Sequence, residues 1–395
     1  MLGTIELPRG PLIIRESFGS GLSRRAGDPP GMVWAAGDRG PNLKIETLLE
    51  RYGAEHLAPL GSIAGAKVMP RLDVGPRIAQ LRVAGDTVEI VAAMPVRDAD
   101  GAPVSGLPMP GSAHRASEPA FDLDGRPIAP DPSGLDSEGI AALADGTFII
   151  SDEFGPSLLR LDPGGRVLAR HVPEGSDLAG ARYPVRATLP GIAAARQLNR
   201  GFEAVAVSPD GKWLFAAFQS PLAHPDEAAH EHARHVRIWR LDATTMRVDA
   251  QYLYPLDPPA SFARDAAEGE VGWSDLKVSE LVCLAGGGLL VLERASRTTK
   301  IYKVAPADSL PLGPEHLDRA ARPTVEELSA AGAPLPQVAK QLLFSSDDAP
   351  EVSPDLEGMA VLSPCEILLV NDNDYGVEGA QTVFWRLRWS APLFA

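Results

Sequence analysis

The chain has 395 residues, 45% hydrophobic and 23% charged, ordinary for a folded chain with a sizeable core. Its 37 Lys and Arg against 52 Asp and Glu leave a net charge of −15, which repels phosphate backbones and anionic lipid and favours cations, so nucleic-acid and membrane-surface partners are disfavoured. Cys283 and Cys365 are too few for a disulfide scaffold or a Cys-rich zinc module, and no stretch approaches the roughly 18 apolar residues of a membrane-spanning helix.

Residues 1–9 show no basic segment followed by an apolar one, so no secretory leader is expected there, and cytosolic and exported locations both stay open. The 38 glycines and 37 prolines, about 19% of the chain against a usual ~12%, are spread without a period and point to many tight turns. Along the chain, short apolar runs alternate with turn residues. Thr4-Ile5-Glu6-Leu7 reads as a strand. Ser20-Gly21-Leu22 leads to Ala36-Gly37-Asp38-Arg39-Gly40, and strands at 78–83 and 87–93 follow about Ala84-Gly85-Asp86. Asp145-Gly146, Asp210-Gly211 and Gly286-Gly287-Gly288 each join two apolar runs as hairpins, because Asp-Gly and Gly-Gly accept the positive φ of primed turns. Further strand pairs are expected at 158–161 with 166–169 and at 236–241 with 248–254. Helical periodicity is scarce, with 225–234 and 315–331 as the best segments. The class is all-β.

One layout repeats. Asp136-Ser137-Glu138-Gly139 leads to Ser151-Asp152-Glu153, Gly201-Phe202-Glu203 to Phe218-Gln219-Ser220, Val278-Ser279-Glu280 to Leu292-Glu293-Arg294, and Asp355-Leu356-Glu357-Gly358 to Asn371-Asp372-Asn373-Asp374. In each, a Glu opens a strand and a polar cluster closes the next; the stretch around Ser20 to Gly40 is a degenerate fifth copy. Glu-to-Glu separations of 65, 77 and 77 fit a four-stranded propeller blade better than a solenoid coil. The expected architecture is a single β-propeller domain over residues 1–395 with five four-stranded blades, or six if 102–135 supplies another, and with insertions near 41–75, 101–135, 222–235 and 306–337. The last copy lacks a fourth strand, so the N-terminal strand is expected to close the ring.

If the first strands line a central channel, Glu138, Glu203, Glu280 and Glu357 converge at one end of it. Carboxylates so crowded cannot all stay ionised without a cation, and oxygen-only donors suit calcium. These four are the candidate metal ligands. Glu153, Asp372, Arg294 and Arg39 are the candidate catalytic residues; Asp38, Gln219, Glu293, Asn371 and Asn373 are candidate substrate contacts. A metal ringed by carboxylates with one or two arginines suits a phosphate or carboxylate ester. Asp and Glu at repeated turns also serve plain geometry, but four Glu in register without an equivalent Lys favour function.

The same pieces resemble the phytase-like proteins with esterase-like activity, a branch of the β-propellers. The likeness runs over residues 18–389 and is carried by Gly134-Leu135-Asp136-Ser137-Glu138-Gly139, Ser151-Asp152-Glu153-Phe154-Gly155-Pro156, Asn199-Arg200-Gly201-Phe202-Glu203, Leu292-Glu293-Arg294 and Asn371-Asp372-Asn373-Asp374. It implies calcium-dependent hydrolysis of phosphate esters in a family whose members are commonly exported. The motifs carry too few Lys and Arg for a hexaphosphate, so a small anionic ester is the expected substrate, with the protein a monomer. The alternative is a non-catalytic propeller that binds a ligand or partner and uses calcium structurally. His224, His230, His232 and His235 read as a polar loop or short helix, and the two cysteines as free buried thiols. No Gly-x-Ser-x-Gly elbow, phosphate loop or His-Glu-x-x-His is present, which disfavours a serine hydrolase, a nucleotide hydrolase and a zincin.

Overall fold

The computed structural model describes residues 1–111 and 117–394. Five antiparallel sheets follow one another along the chain. The first contains Gly21–Ser23, Met32–Gly37, Arg77–Ala84 and Thr87–Pro95. The second runs Ser137–Ala142, Phe148–Asp152, Ser157–Leu161 and Val167–Pro173, with Val185–Leu189 added in parallel. The third holds Phe202–Val207, Trp213–Phe218, His235–Asp242 and Val248–Pro255; the fourth holds Lys277–Cys283, Leu289–Arg294, Thr299–Val304 and Lys340–Ser345. The fifth has three strands, Leu356–Ser363, Glu366–Asn371 and Phe384–Arg388.

The hairpins form where turn chemistry demands them. Gly146 takes φ +92°, and the Asp145 carboxylate accepts the Thr147 N–H at 2.9 Å. Aromatic side chains fill the space between the third sheet and its neighbours, with Phe218 edge-on to Trp239 at a ring separation of 5.1 Å. The first strands of the five sheets are neighbours: 137–142 packs on 21–23 and 202–207, 202–207 on 277–283, 277–283 on 356–363, and 356–363 on 21–23.

The N-terminal strand does not complete the fifth sheet. Gly3–Leu7 pairs with Gly10–Ile14 as a separate hairpin. A two-residue turn at Pro8-Arg9 lets the segment satisfy its own backbone, and Leu12 and Ile14 bury against Leu43, Leu48, Tyr52 and Tyr375 instead. The stretch 101–135 makes no sixth sheet of its own; residues 112–116 within it lie outside the described residues. Its short strands Ala120–Phe121 and Pro127–Ile128 join Leu43–Lys44 and Lys67–Val68 in one small sheet. Helix 225–234 is shortened to Glu227–His232. The expected helix at 315–331 shrinks to Val325–Ala330, because Pro323 cannot sit in a helix interior and Thr324 caps the new start. Among the described residues no helix is long and apolar enough to cross a membrane.

Gly139 marks how tightly the first strands approach. A Cβ there would meet the Glu203 carbonyl oxygen at 2.7 Å and the Val205 nitrogen at 2.8 Å, both backbone atoms that cannot rotate away. Gly139→Ala is expected to cost about 1–3 kcal/mol of stability, read as an earlier denaturation midpoint with an unchanged slope. An unshifted midpoint would contradict the packing described.

Candidate functional site

The site is built by a β-bulge repeated in four sheets. The register of the first strand against the second slips by one residue between Phe202 and Ala204, between Val278 and Glu280, between Leu356 and Gly358, and between Ser137 and Ile140. Aligned on that slip, Glu138, Glu203, Ser279 and Glu357 are equivalent. A bulge re-aims the extra side chain, here toward the cavity at the start of the first strands. Strand alternation then sorts the second strand. Asp152, Phe218, Glu293 and Asn371 occupy one position; the next, Glu153, Gln219, Arg294 and Asp372, all line a cavity of about 480 Å³.

This sorting decides which candidates meet. Glu138, Glu203, Glu357, Glu153, Asp372, Arg294, Arg39, Asp38 and Gln219 line the cavity. Glu280, Glu293, Asn371 and Asn373 do not. Glu280 stands one residue past its expected equivalents, where the other sheets carry Gly139, Ala204 and Gly358. Its carboxylate accepts the backbone N–H of Leu22 at 2.9 Å and of Leu281 at 3.0 Å, fastening the first sheet to the fourth. Glu293 points to the opposite face, where it accepts from Tyr254 Oη at 2.5 Å and Lys340 Nζ at 2.7 Å. Asn371 holds the turn through Gln381 and Val383, and Asn373 donates to the Glu16 carbonyl.

Two groups of carboxylates crowd together, Asp38 with Asp136 and Glu138, and Glu138 with Glu153 and Glu203; within each group, ligand oxygens lie within 4.8 Å of one another. Burial and the neighbouring acids hold Glu138 and Asp38 well above the usual carboxylate range and push Glu153 up to about 8. Asp136 Oδ1 and Glu203 Oε2 are buried without a hydrogen-bond partner among the described residues. Orphaned carboxylate oxygens inside an all-oxygen donor set fit a hard divalent cation.

The two arginines expected to hold an anion are already engaged. Arg294 donates to Asp355 at 2.5 Å and to Glu357; Arg39 pairs with Glu118 at 2.5 Å and Asp136 at 3.2 Å. Other bases in the cavity were not among the candidates: Lys44, Lys67, Arg200 and Lys277. Lys67, Arg200 and Lys277 form no ion pair within 4.0 Å among the described residues, although Arg200 donates to Gln219 Oε1 at 2.5 Å. Nearby Arg294, then burial, lower Lys277 to about 8. Asp136, Lys277 and Asp355 share one place in the repeat, two residues before the bulged position, and that spacing was the signal for them. Lys67 and Glu118 come from the inserted small sheet and its flank, and no repeat pattern points to them.

Local backbone strain gathers here. Asn199, Asp355 and Asp374 line the cavity at φ values of 58°, 55° and 45°, and Tyr375 follows at 55°. Asn199, with its amide nitrogen facing the acids, donates to Glu118 at 2.6 Å and Glu153 at 3.2 Å. Asp372 accepts from Ser17 at 2.5 Å and Ser20 at 2.7 Å. The histidines are dispersed: His230 faces the Pro221 carbonyl and His235 faces Ser329 and Gln337. Both cysteines are free and only partly buried, and desolvation pushes the Cys283 thiol up.

Two outcomes follow from this geometry. Glu280→Ala strands buried amides and is expected to destabilise by about 1–3 kcal/mol, whereas Glu280→Gln, which keeps an acceptor, loses less. Neither should weaken divalent-cation binding by calorimetry; a Glu280 ligand would show the reverse pattern. For Glu153, a folded value of about 8 lies above the ordinary 4.5, so the folded state keeps the proton across that window. Its contribution is full below about pH 4.5 and is lost as pH rises through about 8. In chelator the melting temperature should therefore fall between about pH 5 and about pH 8.5, and calcium should raise it more at the higher pH. A calcium effect independent of pH would refute this linkage.

Residues 19–375 match the family model described as phytase-like, esterase-like activity of phytase. An uncharacterized secreted protein of Arthroderma benhamiae is 26% identical over 303 residues, which cover 67% of this chain and 55% of that protein, so the chain spans about half the length of that relative. Among solved structures, a luciferin-regenerating enzyme matches with TM-score 0.36 and 11% identity over 99% of this chain and 97% of its own. The periplasmic gluconolactonase of Pseudomonas aeruginosa matches with TM-score 0.34 and 11% identity over 95% and 86%. The family match spans most of the sequence and includes the bulged glutamates and the cavity strands, and the chain belongs to the family described as phytase-like, esterase-like activity of phytase.

Proposed function

We propose that the five sheets close into a five-bladed propeller and that its upper cavity hydrolyses a small anionic ester, phosphoric or carboxylic, with the help of calcium. The cyclic order of contacts between first strands supports the ring. The single observation that carries the chemistry is the crowding of Asp38, Asp136, Glu138, Glu153 and Glu203 beside Lys44, Lys67, Arg200 and Lys277, with two buried carboxylate oxygens unpaired and these bases without an ion pair among the described residues.

Asp38, Asp136, Glu138 and Glu203 are the residues that would hold the ion. When bound, a divalent cation neutralises the crowded charge and polarises an ester oxygen. The chain's own groups do the rest. Lys67, Lys277 and Arg200 attract and orient the anionic end, the role expected of Arg39 and Arg294, whose guanidinium groups instead brace the cavity wall. Glu153, its oxygen held by Asn199, accepts the proton of the attacking water once its own carboxyl is ionised, which a cation on the neighbouring acids would favour by offsetting the charges that raise it. Asp372 is a positioning residue: two serine hydroxyls occupy its oxygens, and it holds the loop that carries Asp374.

The test is hydrolysis of an aryl phosphate and an aryl carboxylate ester with calcium and with chelator. Turnover is expected with calcium and not with chelator. Glu153→Gln should cut kcat by at least ~10²-fold, the usual scale for a general base, with a smaller loss of calcium affinity by calorimetry. Equal loss of calcium affinity and stability in that variant would make Glu153 a ligand. Absence of turnover on both ester classes would overturn the hydrolase reading.

A further inference from the structure

The inserted small sheet that borders the acidic cavity also forms one wall of a groove of about 540 Å³. The groove runs between helix Ile45–Glu50 and the turn that follows Glu55–Ser62. Ile45, Leu49, Ile63 and Ala66 line it, and Gly61 and Gly65 present bare backbone. Ile45 and Ala66 belong to the core beneath. Leu49 is only half-buried, and Ile63 is 38% exposed and joins no core cluster among the described residues. An apolar face is therefore left open beside the acids.

Lys44 and Lys67 line both the groove and the acidic cavity. They stand directly opposite each other in the antiparallel strands Leu43–Lys44 and Lys67–Val68, a pairing in which like charges repel. Neither forms an ion pair among the described residues. Lys67 Nζ donates to the neutral Asn42 Oδ1 at 3.4 Å, and Glu118, whose charge also acts on Lys67, is already paired with Arg39 at 2.5 Å. Burial first, then Arg39, pulls the Lys67 ammonium below its ordinary value, and Lys44 adds to the effect. An anion held between the two lysines relieves that repulsion. Leu198 carries the apolar surface from one space to the other: it lines the acidic cavity, and a Cβ on Gly65 would meet its Cδ2 at 3.3 Å. Glu46 and Glu50 also line the groove, so a second anionic group there is repelled whereas an uncharged one is accepted.

We propose that the acidic cavity and this groove together take a phosphate monoester of an apolar alcohol, its phosphoryl group on Lys44 and Lys67 and its alkyl or aryl group in the groove. The assignment rests on the hydrolase reading of the acidic cavity and narrows it. Twinned lysines suit a dianionic phosphoryl group, whereas an uncharged carboxylic ester linkage would leave them unpaired. The groove's volume of about 540 Å³ falls within the usual ~300–1,000 Å³ of small-molecule sites. On the hydrolase reading, water adds to phosphorus and the P–O bond to the alcohol breaks. The alcohol oxygen takes a proton and leaves by the groove, and inorganic phosphate remains in the cavity.

Titration calorimetry of the full chain in calcium, with hexylphosphonate and methylphosphonate, tests the assignment independently of turnover, because the C–P bond of a phosphonate is not hydrolysed. Hexylphosphonate should bind at least ~10-fold more tightly than methylphosphonate, since its added methylenes are covered by the groove. Ile63→Ser should cut that preference by at least ~3-fold and leave methylphosphonate within ~2-fold, and Lys44→Gln should weaken both phosphonates by at least ~3-fold. Both residues are exposed, and melting curves check that the variants fold. Equal affinity for the two phosphonates, no binding of either, an unchanged preference in Ile63→Ser or unchanged affinities in Lys44→Gln would overturn the proposal. A hexyl preference without turnover of an aryl phosphate would support this site and overturn the hydrolase reading alone.

Discussion

Crowding of five first strands is the constraint on which the rest of this structure depends. The strands approach so closely that backbone atoms of one sheet occupy the space a side chain would need on the next, as at Gly139 against Glu203 and Val205. A regular strand would have to place its alternate side chains into that space. The bulge inserts one residue, turns a single glutamate toward the open end, and leaves a small residue at the point of closest approach. The acidic cluster is therefore a consequence of how the sheets pack, and its electrostatic cost is concentrated where a cation or a proton relieves it.

The fourth sheet shows the rule through its exception. It carries Ser279 at the bulge and Glu280 where the others have Gly or Ala. Glu280 cannot reach the cavity. Its carboxylate instead takes up the backbone N–H of Leu22 on the neighbouring first strand and of Leu281 on its own, while Ser279 accepts a hydrogen bond from Arg294 at 2.9 Å. Arg294, freed toward the cavity, neutralises Asp355 and Glu357. The acidic charge of the cavity is thus uneven. Asp355 and Glu357 are matched by an internal arginine, whereas Asp136 and Glu203 beside Glu138 each keep an oxygen unpaired among the described residues.

The inserted segments serve the site as well as the surface. Leu43–Lys44, Lys67–Val68 and the flank of Ala120–Phe121 bring Lys44, Lys67 and Glu118 beside the acids of the second sheet. The N-terminal hairpin packs on the same small sheet through Leu12 and Ile14. That packing explains why the fifth sheet stays at three strands: the N-terminal segment gains more by burying its apolar face there than by adding to an edge.

Much of the architecture was legible in the sequence. Short apolar runs between Asp-Gly and Gly-Gly turns determined the hairpins, and the recurrence of Glu with a following polar cluster determined that four sheets are built alike. Those are local signals, set by φ preferences and side-chain alternation. The sequence also determined that acids dominate one region of the repeat, the donor type that suits a hard cation. What only the tertiary structure decided is which side chains meet. Side chains alternate along a strand, so Glu280, one residue past the bulged position, and Glu293, one residue before Arg294, left the site although their motifs resemble the rest. Arg39 and Arg294 were committed to ion pairs by partners distant in sequence, and Lys67 was brought in by an insertion with no repeat pattern. Register and long-range contact are properties of paired strands and packed sheets; a single strand read alone carries neither.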